Sequence, residues 1–299
     1  PELVKNILIH LESGKDVILV GAPGVGKSVL ARRILKHKSN DNYVTSVAHA
    51  DWTSRDLIGG LNLEGDHYSK GWMLEAIVSE PSKLLLIDEF NRADINKAFG
   101  EMFLAIESRE IHLSEAQAKV YGTDVIQIPD KFRFIGTMND FDKNLLLTEL
   151  SYGLITRLAF VDVQPDSRKE EESVKTQIDN TNYETCSKQI SSYYEFINQV
   201  REERMIGVRT SKDIISFLLH ASPYSQDEIE HWKNLDDALC DYLEPQFDRL
   251  NTKLLEHVLK CSESIFADKI TNFNKKLEKK IKELKLMTAF LNEQQENES

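Results

Sequence analysis

The hydrophobic positions in the first 165 residues follow two alternating spacings. Val4, Ile7, Leu8 and Leu11 recur at helical spacing, which predicts an amphipathic helix that Ser13-Gly14-Lys15 would end. Short apolar runs, which predict strands, are Val17–Val20, Asn42–Val47, Leu84–Ile87, Phe132–Thr137 and Leu158–Val163. These runs are too apolar for a sheet with one face in solvent, so helices are expected on both faces. The pattern therefore predicts an α/β fold in which helices sandwich a parallel sheet.

After Pro165 the strand-like runs disappear and helical spacing takes over. One apolar stripe consists of Ile190, Tyr193, Tyr194, Ile197 and Val200, and a second of Leu239, Tyr242 and Leu243. Towards the end of the chain a coiled-coil-like seam is formed by Phe273, Leu277, Ile281, Leu284, Met287 and Leu291. We therefore predict an α/β domain over residues 1–165, an all-helical domain over 166–250 and a C-terminal helical extension over 251–299.

Composition narrows the function classes. The chain has 299 residues, of which 41% are hydrophobic and 29% charged, as in ordinary soluble proteins. Its formal charge of −12 would repel nucleic acid as a whole, so contact with DNA or RNA would need a local basic patch or a partner. The three cysteines, Cys186, Cys240 and Cys261, lie far apart and suit buried thiols in a reducing compartment. No apolar run reaches the roughly 18 residues of a membrane span, so a cytoplasmic location is expected.

The strongest motif follows the first predicted strand. It is Gly21-Ala22-Pro23-Gly24-Val25-Gly26-Lys27-Ser28, which fits G-x-x-x-x-G-K-[ST]. The glycines let backbone N–H groups wrap closely around phosphates, and the helix that continues through Val29 aims its positive end at them. The eight loop residues and Val29 are therefore expected to bind a nucleoside triphosphate, with Lys27 on the β- and γ-phosphates and Ser28 on magnesium.

Two acids, Asp88 and Glu89, end the third predicted strand. Magnesium-dependent nucleotide hydrolysis needs one carboxylate near the metal and one near the attacking water. Asp88 suits the first role, and Glu89, which can point the other way, suits the second. An apolar strand that ends in Asp-Glu can also simply be reaching solvent, but the phosphate loop upstream favours hydrolysis.

These residues resemble the AAA+ ATPases, in the branch that includes MoxR-like chaperones, the McrB restriction GTPase and the dynein and midasin motor modules. The resemblance extends from residue 1 to about residue 250. Besides the two nucleotide motifs, it rests on Asp88–Ala93, Leu104–Ile111, Gly136–Asn139, Glu149–Leu158 and Gly207–Arg209.

The resemblance implies roles for further polar residues. Asn139 resembles the sensor-1 residue that helps to place the attacking water, with a strand-end turn as the plainer alternative. Arg157 resembles the arginine finger that acts on a neighbouring subunit, although a surface salt-bridge arginine would look the same. Arg209 resembles the sensor-2 arginine of the lid, or an ordinary exposed helix residue. Arg92, near the acids, is a further candidate.

Two insertions follow the pattern of the same branch. Residues 52–71 resemble the insertion that lines the central pore, which makes Trp52, Leu61, Leu63 and Tyr68 candidate substrate contacts. The alternative is a solvated loop with a few apolar anchors. Residues 111–128 resemble the hairpin that precedes sensor 1.

The resemblance implies an ATPase that binds ATP and Mg²⁺ between the subunits of a ring, expected to be a homo-hexamer, and that remodels a protein partner as a MoxR-like chaperone does. One alternative is a McrB-like motor of a DNA-restriction or anti-phage system, which would reach nucleic acid through a partner. Asn139-Asp140-Phe141-Asp142 fits the N-x-x-D pattern that McrB-like proteins use towards guanine. A third alternative is a nucleotide-dependent scaffold with slow turnover.

Overall fold

The computed structural model describes residues 2–61, 68–139, 157–165, 170–171, 184–248 and 250–297. It divides into two compact units, Pro1–Gln164 and Pro165–Ser299.

The first unit combines strands and helices. Its strands are β1 (Asp16–Gly21), β2 (Tyr43–Val47), β3 (Gly59–Leu61), β4 (Tyr68–Lys70), β5 (Leu84–Asp88), β6 (Glu110–His112), β7 (Val125–Gln127), β8 (Phe134–Asn139) and β9 (Leu158–Asp162). Its helices are α1 (Glu2–Glu12), α2 (Lys27–Ser39), α3 (Ser54–Ile58), α4 (Trp72–Val78), α5 (Ile95–Ser108) and α6 (Glu115–Tyr121). The five strands predicted from apolar runs are those of the main sheet, which confirms the predicted α/β fold.

The main sheet has the strand order β2-β5-β8-β1-β9, and every neighbouring pair is parallel. In the register of β1 against β8, Gly21 pairs with Asn139. On the other side of β8, Ile87 of β5 pairs with Gly136. The carboxyl ends of the three central strands therefore meet at one edge of the sheet.

Both faces of this sheet are buried along its central strands β1, β5 and β8, as their apolar runs predict, whereas the edge strand β2 is partly exposed. All six residues of β1 are buried, and the side chains of Val17–Val20 alternate between two apolar clusters. Ile18 and Val20 pack with α3, α4 and α5, whereas Val17 and Leu19 pack with α1 and α2. A slip of one residue in register would exchange the two sets, so the alternation fixes the strand pairing.

The two insertions form small hairpins. β6 and β7 pair antiparallel with α6 between them, which matches the hairpin expected over residues 111–128. β3 and β4 form a second antiparallel pair. Trp52 was expected to contact a substrate, but it is only 3% exposed, and its ring lies 5.4 Å from that of Trp72 and 6.1 Å from that of Phe99. The interpretation of Trp52 as a pore contact is therefore wrong, because the indole anchors the insertion in the core.

The other expected pore contacts differ in position. Tyr68 is partly buried, and its hydroxyl donates a hydrogen bond to the carbonyl of Ile58 at 3.4 Å. Its ring also packs edge-on against Tyr121. Leu63 and the side chain of Leu61 lie outside the described residues.

The second unit is helical throughout the part that the structure describes. Its helices are α7 (Ser187–Glu203), α8 (Val208–Ala221), α9 (Glu228–Ala238), α10 (Thr252–Phe266) and α11 (Asn272–Asn297). After α9 the chain continues as a π turn, Leu239–Leu243, and a 3-10 turn, Glu244–Phe247, which contains Pro245. Proline cannot donate the next helical hydrogen bond, and regular α-helix ends before it.

Helices α10 and α11 belong to the same core as the rest of this unit. Phe273, Leu277 and Ile281 of the expected seam are buried in that core. The carboxylate of Asp236, in α9, caps the start of α11 by accepting hydrogen bonds from the backbone N–H groups of Asn272 and Phe273, both at 2.8 Å. The prediction of a separate extension over residues 251–299 is therefore wrong for α10 and for the first half of α11, since apolar spacing alone cannot tell an internal seam from one that meets another chain.

The remaining sequence-based expectations for this unit concern single residues. Cys186, Cys240 and Cys261 are buried, unpaired thiols, and burial raises the pKa of each. Met287, further along the seam, is 62% exposed. Within the described residues, no helix has the length and apolarity that crossing a membrane requires.

We expect an unusual pH dependence of stability from Asp16, which is 6% exposed at the start of β1. Burial raises its pKa from 3.8 to about 7, against the opposing effects of the Phe134 N–H and the charges of Arg133 and Arg109. Because the folded pKa lies above the unfolded one, the native state binds more protons between these values, and stability falls as pH rises through this window. From pH 5 to pH 8 this group should lower the free energy of unfolding by roughly 2–3 kcal/mol.

Asp16→Asn tests this expectation. The amide oxygen can still accept the hydrogen bond that Phe134 N–H donates at 2.9 Å, but it carries no charge. Denaturant unfolding at pH 5 and pH 8 should therefore show a smaller loss of stability for the variant than for the parent. Equal losses in the two proteins would contradict a raised pKa for Asp16.

A second prediction compares two glycines of the first unit. A Cβ on Gly21 would lie 2.3 Å from the carbonyl oxygen of Val163, whose N–H is itself bonded to Val20 O at 2.6 Å. Gly21→Ala should therefore force the ends of β1 and β9 apart and cost about 2 kcal/mol of stability. Gly100, inside α5, has open space where a Cβ would stand. Gly100→Ala should instead stabilise by about 0.5–1 kcal/mol, since alanine favours helix.

Both changes are measured by the shift in denaturant midpoint at an unchanged slope. The matched substitutions separate the steric effect from any general effect of adding a methyl group. If Gly21→Ala leaves the denaturant midpoint unchanged, the ends of β1 and β9 can move apart at little cost.

Candidate nucleotide-binding site

The loop between β1 and α2 has the backbone conformation that a phosphate cradle needs. Gly24 and Gly26 have φ values of 79° and 95°, in the left-handed region that favours glycine. Gly26 occupies the N-cap position of α2, with no side-chain cap, so the first amides of that helix lack intrahelical acceptors. Apart from its chain neighbours, a Cβ on Gly26 would meet open space. The loop therefore offers backbone donors, at the positive end of a helix, to an anion.

Lys27 is held at this loop by acceptors that include the described residues Gly21, Ala22 and Asn139. It is 8% exposed, and its Nζ donates to the carbonyls of Gly21 and Ala22 at 2.8 and 2.9 Å and to Oδ1 of Asn139 at 3.2 Å. An ammonium has three donors, and each has an acceptor here. A phosphate that binds Lys27 would exchange with these acceptors.

The other loop residues differ in exposure. Ala22 is 1% exposed, whereas Val29, on the first turn of α2, is 53% exposed. Pro23 and Gly24 are exposed, and Val25 is partly buried beside the cluster of α1 and α2. The loop therefore presents mainly its backbone, together with Lys27 and Ser28.

Ser28 and Asp88 approach each other although they are sixty residues apart in the chain. Ser28 Oγ donates a hydrogen bond to Oδ1 of Asp88 at 2.7 Å. A hydroxyl and a carboxylate are oxygen donors of the kind that Mg²⁺ prefers, with phosphate and water oxygens to complete its shell. In the described ranges, no three His, Cys, Asp or Glu side chains cluster in a way that could hold a metal on their own. The pair therefore fits a metal that arrives with a phosphate ligand.

Glu89 leaves the strand in a different direction from Asp88. Its φ of 55° and ψ of 42° are left-handed, a conformation that costs about 1–2 kcal/mol for a residue with a side chain. Its Oε2 lies 3.4 Å from Nδ2 of Asn139 and 3.4 Å from Nε of Arg92. The two adjacent acids thus face different partners: Asp88 faces Ser28, and Glu89 faces Asn139 and Arg92.

Asn139 connects the phosphate loop to the acid Glu89. It pairs in register with Gly21, and its amide reaches Lys27 through the oxygen and Glu89 through the nitrogen. A neutral amide can hold a water and a phosphate oxygen together without competing for a metal. Lys27, Ser28, Asp88, Glu89 and Asn139 therefore form one connected cluster at the carboxyl edge of the sheet.

Arg157 lies at the opposite edge. It precedes β9, whose first residue, Leu158, pairs with Asp16 at the start of β1. The phosphate loop begins at the other end of that strand, roughly 17 Å away at 3.3 Å per residue. Arg157 forms a salt bridge with Glu107 and donates to the carbonyl of Phe103 at 3.3 Å. It therefore cannot contact the phosphate loop of its own chain in this conformation.

Arg209 is exposed on the first turn of α8, in the helical unit. Arg92 is largely exposed at 61% and stands beside Glu89. Residues 140–156, which include most of Glu149–Leu158 and the last three residues of the N-x-x-D pattern, lie outside the described residues.

Sequence reasoning did not identify Thr137, whose hydroxyl donates a hydrogen bond to Oδ1 of Asp88 and accepts one from the N–H of Glu89 at 3.2 Å. It is a β-branched residue in a predicted strand, which is its ordinary position. The available signals were its position two residues before Asn139 and its place in Gly136–Asn139, one of the segments that carry the resemblance.

The comparisons with known proteins agree with this geometry. Residues 16–158 match the AAA domain of the dynein-related subfamily. The chain is also 28% identical over 176 residues to the EcoKMcrB subunit of a type IV methyl-directed restriction enzyme from Escherichia coli strain K12. That match covers 54% of this chain and 38% of the relative, so the chain spans less than half of that protein.

Two solved structures are also similar. A mutant of RuvB from Thermotoga maritima has 18% sequence identity and a TM-score of 0.44, covering 89% of this chain and 70% of that one. NtrX from Brucella abortus has 15% identity and a TM-score of 0.47, covering 93% and 67%. The family match, the related restriction subunit and the arrangement of strands together identify residues 16–158 as an AAA domain of the dynein-related subfamily, within the AAA+ nucleoside-triphosphate hydrolases.

Proposed function

We propose that this chain is the nucleotide-driven motor subunit of a restriction-type system, which hydrolyses a nucleoside triphosphate with Mg²⁺ and uses the energy to act on nucleic acid through a partner. The observation that carries the hydrolysis is the connected cluster of Lys27, Ser28, Asp88, Glu89 and Asn139. The similarity to a restriction enzyme subunit supports the kind of system.

Each residue of the cluster has a distinct part in the proposed reaction. The loop amides and Lys27 bind the β- and γ-phosphates, and Ser28 and Asp88 would hold the metal, which would neutralise charge on the phosphate oxygens. Glu89 accepts a proton from the water that attacks the γ-phosphorus. The bond between the γ-phosphorus and the oxygen that bridges it to the β-phosphate breaks, and the nucleoside diphosphate leaves. The Asn139 amide orients that water against the γ-phosphate, which its 3.4 Å approach to Glu89 supports.

A ring completes the site. Arg157 lies at the edge of the sheet away from its own phosphate loop, so an arginine finger at this position would serve a neighbouring subunit. Head-to-tail contacts of this kind close into rings when the rotation permits. We propose a homo-oligomeric ring, with six subunits as in the sequence-based expectation, and a cytoplasmic location.

The net charge supports an indirect route to nucleic acid. At −12, the chain as a whole repels a polyanion, so a separate partner is expected to bind it. The alternative of a MoxR-like chaperone uses the same hydrolytic site, and it predicts stimulation by a protein substrate instead. ATP is the expected nucleotide, and the N-x-x-D pattern at Asn139 makes GTP the comparison that matters.

The first test is phosphate release from ATP and from GTP by the full chain, with and without Mg²⁺ and duplex DNA. Glu89→Gln should lose turnover by roughly 10²–10⁴-fold but retain nucleotide, because the amide cannot accept the proton while the phosphate cradle is intact. Glu115→Gln, at a side chain that is 88% exposed on α6, is the matched control and should behave as the parent does.

The outcomes separate the candidate functions. Stimulation by duplex DNA together with a DNA-binding partner supports the restriction-type motor, whereas stimulation by protein substrates alone would favour the chaperone. Slow turnover that neither stimulates would favour the scaffold. If the chain neither binds nor hydrolyses ATP or GTP, the proposal is overturned altogether.

A second test asks which arginine acts between subunits. Mixing Arg157→Ala with Glu89→Gln subunits should restore activity that neither variant has alone, because roughly a quarter of head-to-tail interfaces in an equal mixture would join an intact finger to an intact Glu89. The same mixture made with Arg92→Ala should show no such rescue, since Arg92 lies beside Glu89 of its own chain. If activity is restored only in the mixture of Arg92→Ala with Glu89→Gln subunits, Arg92 and not Arg157 is the finger.

A further inference from the structure

Thr137 contacts both acids of the candidate site through one hydroxyl. It lies in β8, two residues before Asn139, and is 2% exposed. Its Oγ1 donates a hydrogen bond to Oδ1 of Asp88. The same oxygen accepts a hydrogen bond from the backbone N–H of Glu89, with a nitrogen–oxygen distance of 3.2 Å.

Two hydrogen bonds to the main chain of Glu89, which we call its main-chain anchors, hold its left-handed conformation, and the Thr137 hydroxyl makes one of them. A residue with a side chain stays in this region only where its surroundings fix it. Thr137 binds the N–H of Glu89, and the N–H of Arg92 donates to the carbonyl of Glu89 at 2.8 Å. The carboxylate itself is held less closely, since its contacts to Asn139 and Arg92 are both 3.4 Å. The main-chain anchors therefore set the direction in which Glu89 points.

The same hydroxyl also orients Asp88. Oδ1 of Asp88 accepts hydrogen bonds from Thr137 and from Ser28, one on a strand and one on a helix. Two donors on one oxygen fix the rotation of the carboxylate and leave Oδ2 for another ligand. Of these two donors, Ser28 is also assigned to the metal. Thr137 is assigned no direct contact with metal or phosphate.

A purely structural role does not account for this placement. β-branched residues are common in strands, but valine would fill the same buried volume without a polar atom. A buried hydroxyl is unfavourable unless it is hydrogen-bonded, and this one directs both its donor and its acceptor capacity to the two acids.

We propose that Thr137 is a positioning residue for nucleotide hydrolysis, which holds Asp88 in the orientation for the metal and Glu89 in the orientation for the attacking water. The proposal rests on the proposed function of the site. It adds a residue that touches neither the metal nor the nucleotide and acts through the two acids.

Two matched pairs of variants separate the hydroxyl from packing. Thr137→Val keeps the volume and removes the hydroxyl, whereas Thr137→Ser keeps the hydroxyl and removes a methyl group. Thr137→Ala and Thr137→Ser both lack that methyl and differ in the hydroxyl alone, so this pair replaces the first if the valine variant does not fold. Thermal unfolding of the full-length variants identifies any that fail to fold.

The readouts are turnover of ATP and GTP and the Mg²⁺ midpoint for binding a fluorescent nucleotide analogue. We expect Thr137→Val and Thr137→Ala to lose about 10–100-fold in kcat and to shift the Mg²⁺ midpoint upwards, as removal of a residue that orients a metal ligand does. Nucleotide affinity without Mg²⁺ should stay within about 3-fold of the parent, because the phosphate cradle is unchanged. Thr137→Ser should remain close to the parent in all three measurements.

The results distinguish this proposal from the function on which it rests. If the parent hydrolyses nucleotide and the valine and alanine variants match it in kcat and Mg²⁺ midpoint, the role of Thr137 is overturned and the function stands. Equal losses in the serine and alanine variants would assign the effect to packing and also overturn that role. If the parent shows no Mg²⁺-dependent nucleotide binding or turnover, the proposed function itself fails, and the role of Thr137 fails with it.

Discussion

The parallel pairing of β8 with β1 on one side and β5 on the other is the constraint on which the candidate site depends. Parallel strands place their carboxyl ends at the same edge, so the residues that follow or end these strands come together whatever their separation in the chain. Asn139 lies beside Gly21, and Asp88 reaches Ser28 across sixty residues of sequence. The apolar side chains on both faces fix this register, so the geometry of the site depends on the packing of the sheet.

The strand ends also explain how two adjacent acids can serve different purposes. Successive side chains in a strand point to opposite faces, but both faces of this sheet are covered by helices. The strand ends at Asp88, and Glu89 turns into the left-handed region, so the two acids need not point to opposite faces of the sheet. The conformational cost is met locally by hydrogen bonds to its N–H and carbonyl groups. The separation of metal-binding and water-activating groups thus depends on the backbone as much as on side-chain chemistry.

Sequence patterns predicted the sheet and most of the candidate site because both depend on local features. A fully buried strand is a continuous apolar run, and the phosphate loop is a contiguous motif of glycines, lysine and serine. Trp52 and Phe273 were misjudged because their environment comes from distant segments: Trp52 packs on Trp72 and Phe99, and Phe273 enters the core of the helical unit. Thr137 was missed because its residue type is ordinary in a strand, and only the register of β5 against β8 gives it two acids as partners.

The position of Arg157 shows how topology can make a site depend on assembly. An arginine that immediately precedes β9 starts at the amino edge of the sheet, because β9 runs parallel to β1, and the phosphate loop starts at the carboxyl edge. The length of a strand therefore separates it from the nucleotide of its own chain. Within the chain its charge is paired with Glu107, so use as a finger would require that salt bridge to open. Exposed or partly exposed pairs of this kind contribute little stability, so a phosphate on a neighbouring subunit could compete for Arg157 at small cost. Under the proposed function, hydrolysis would then couple to ring formation through strand direction alone.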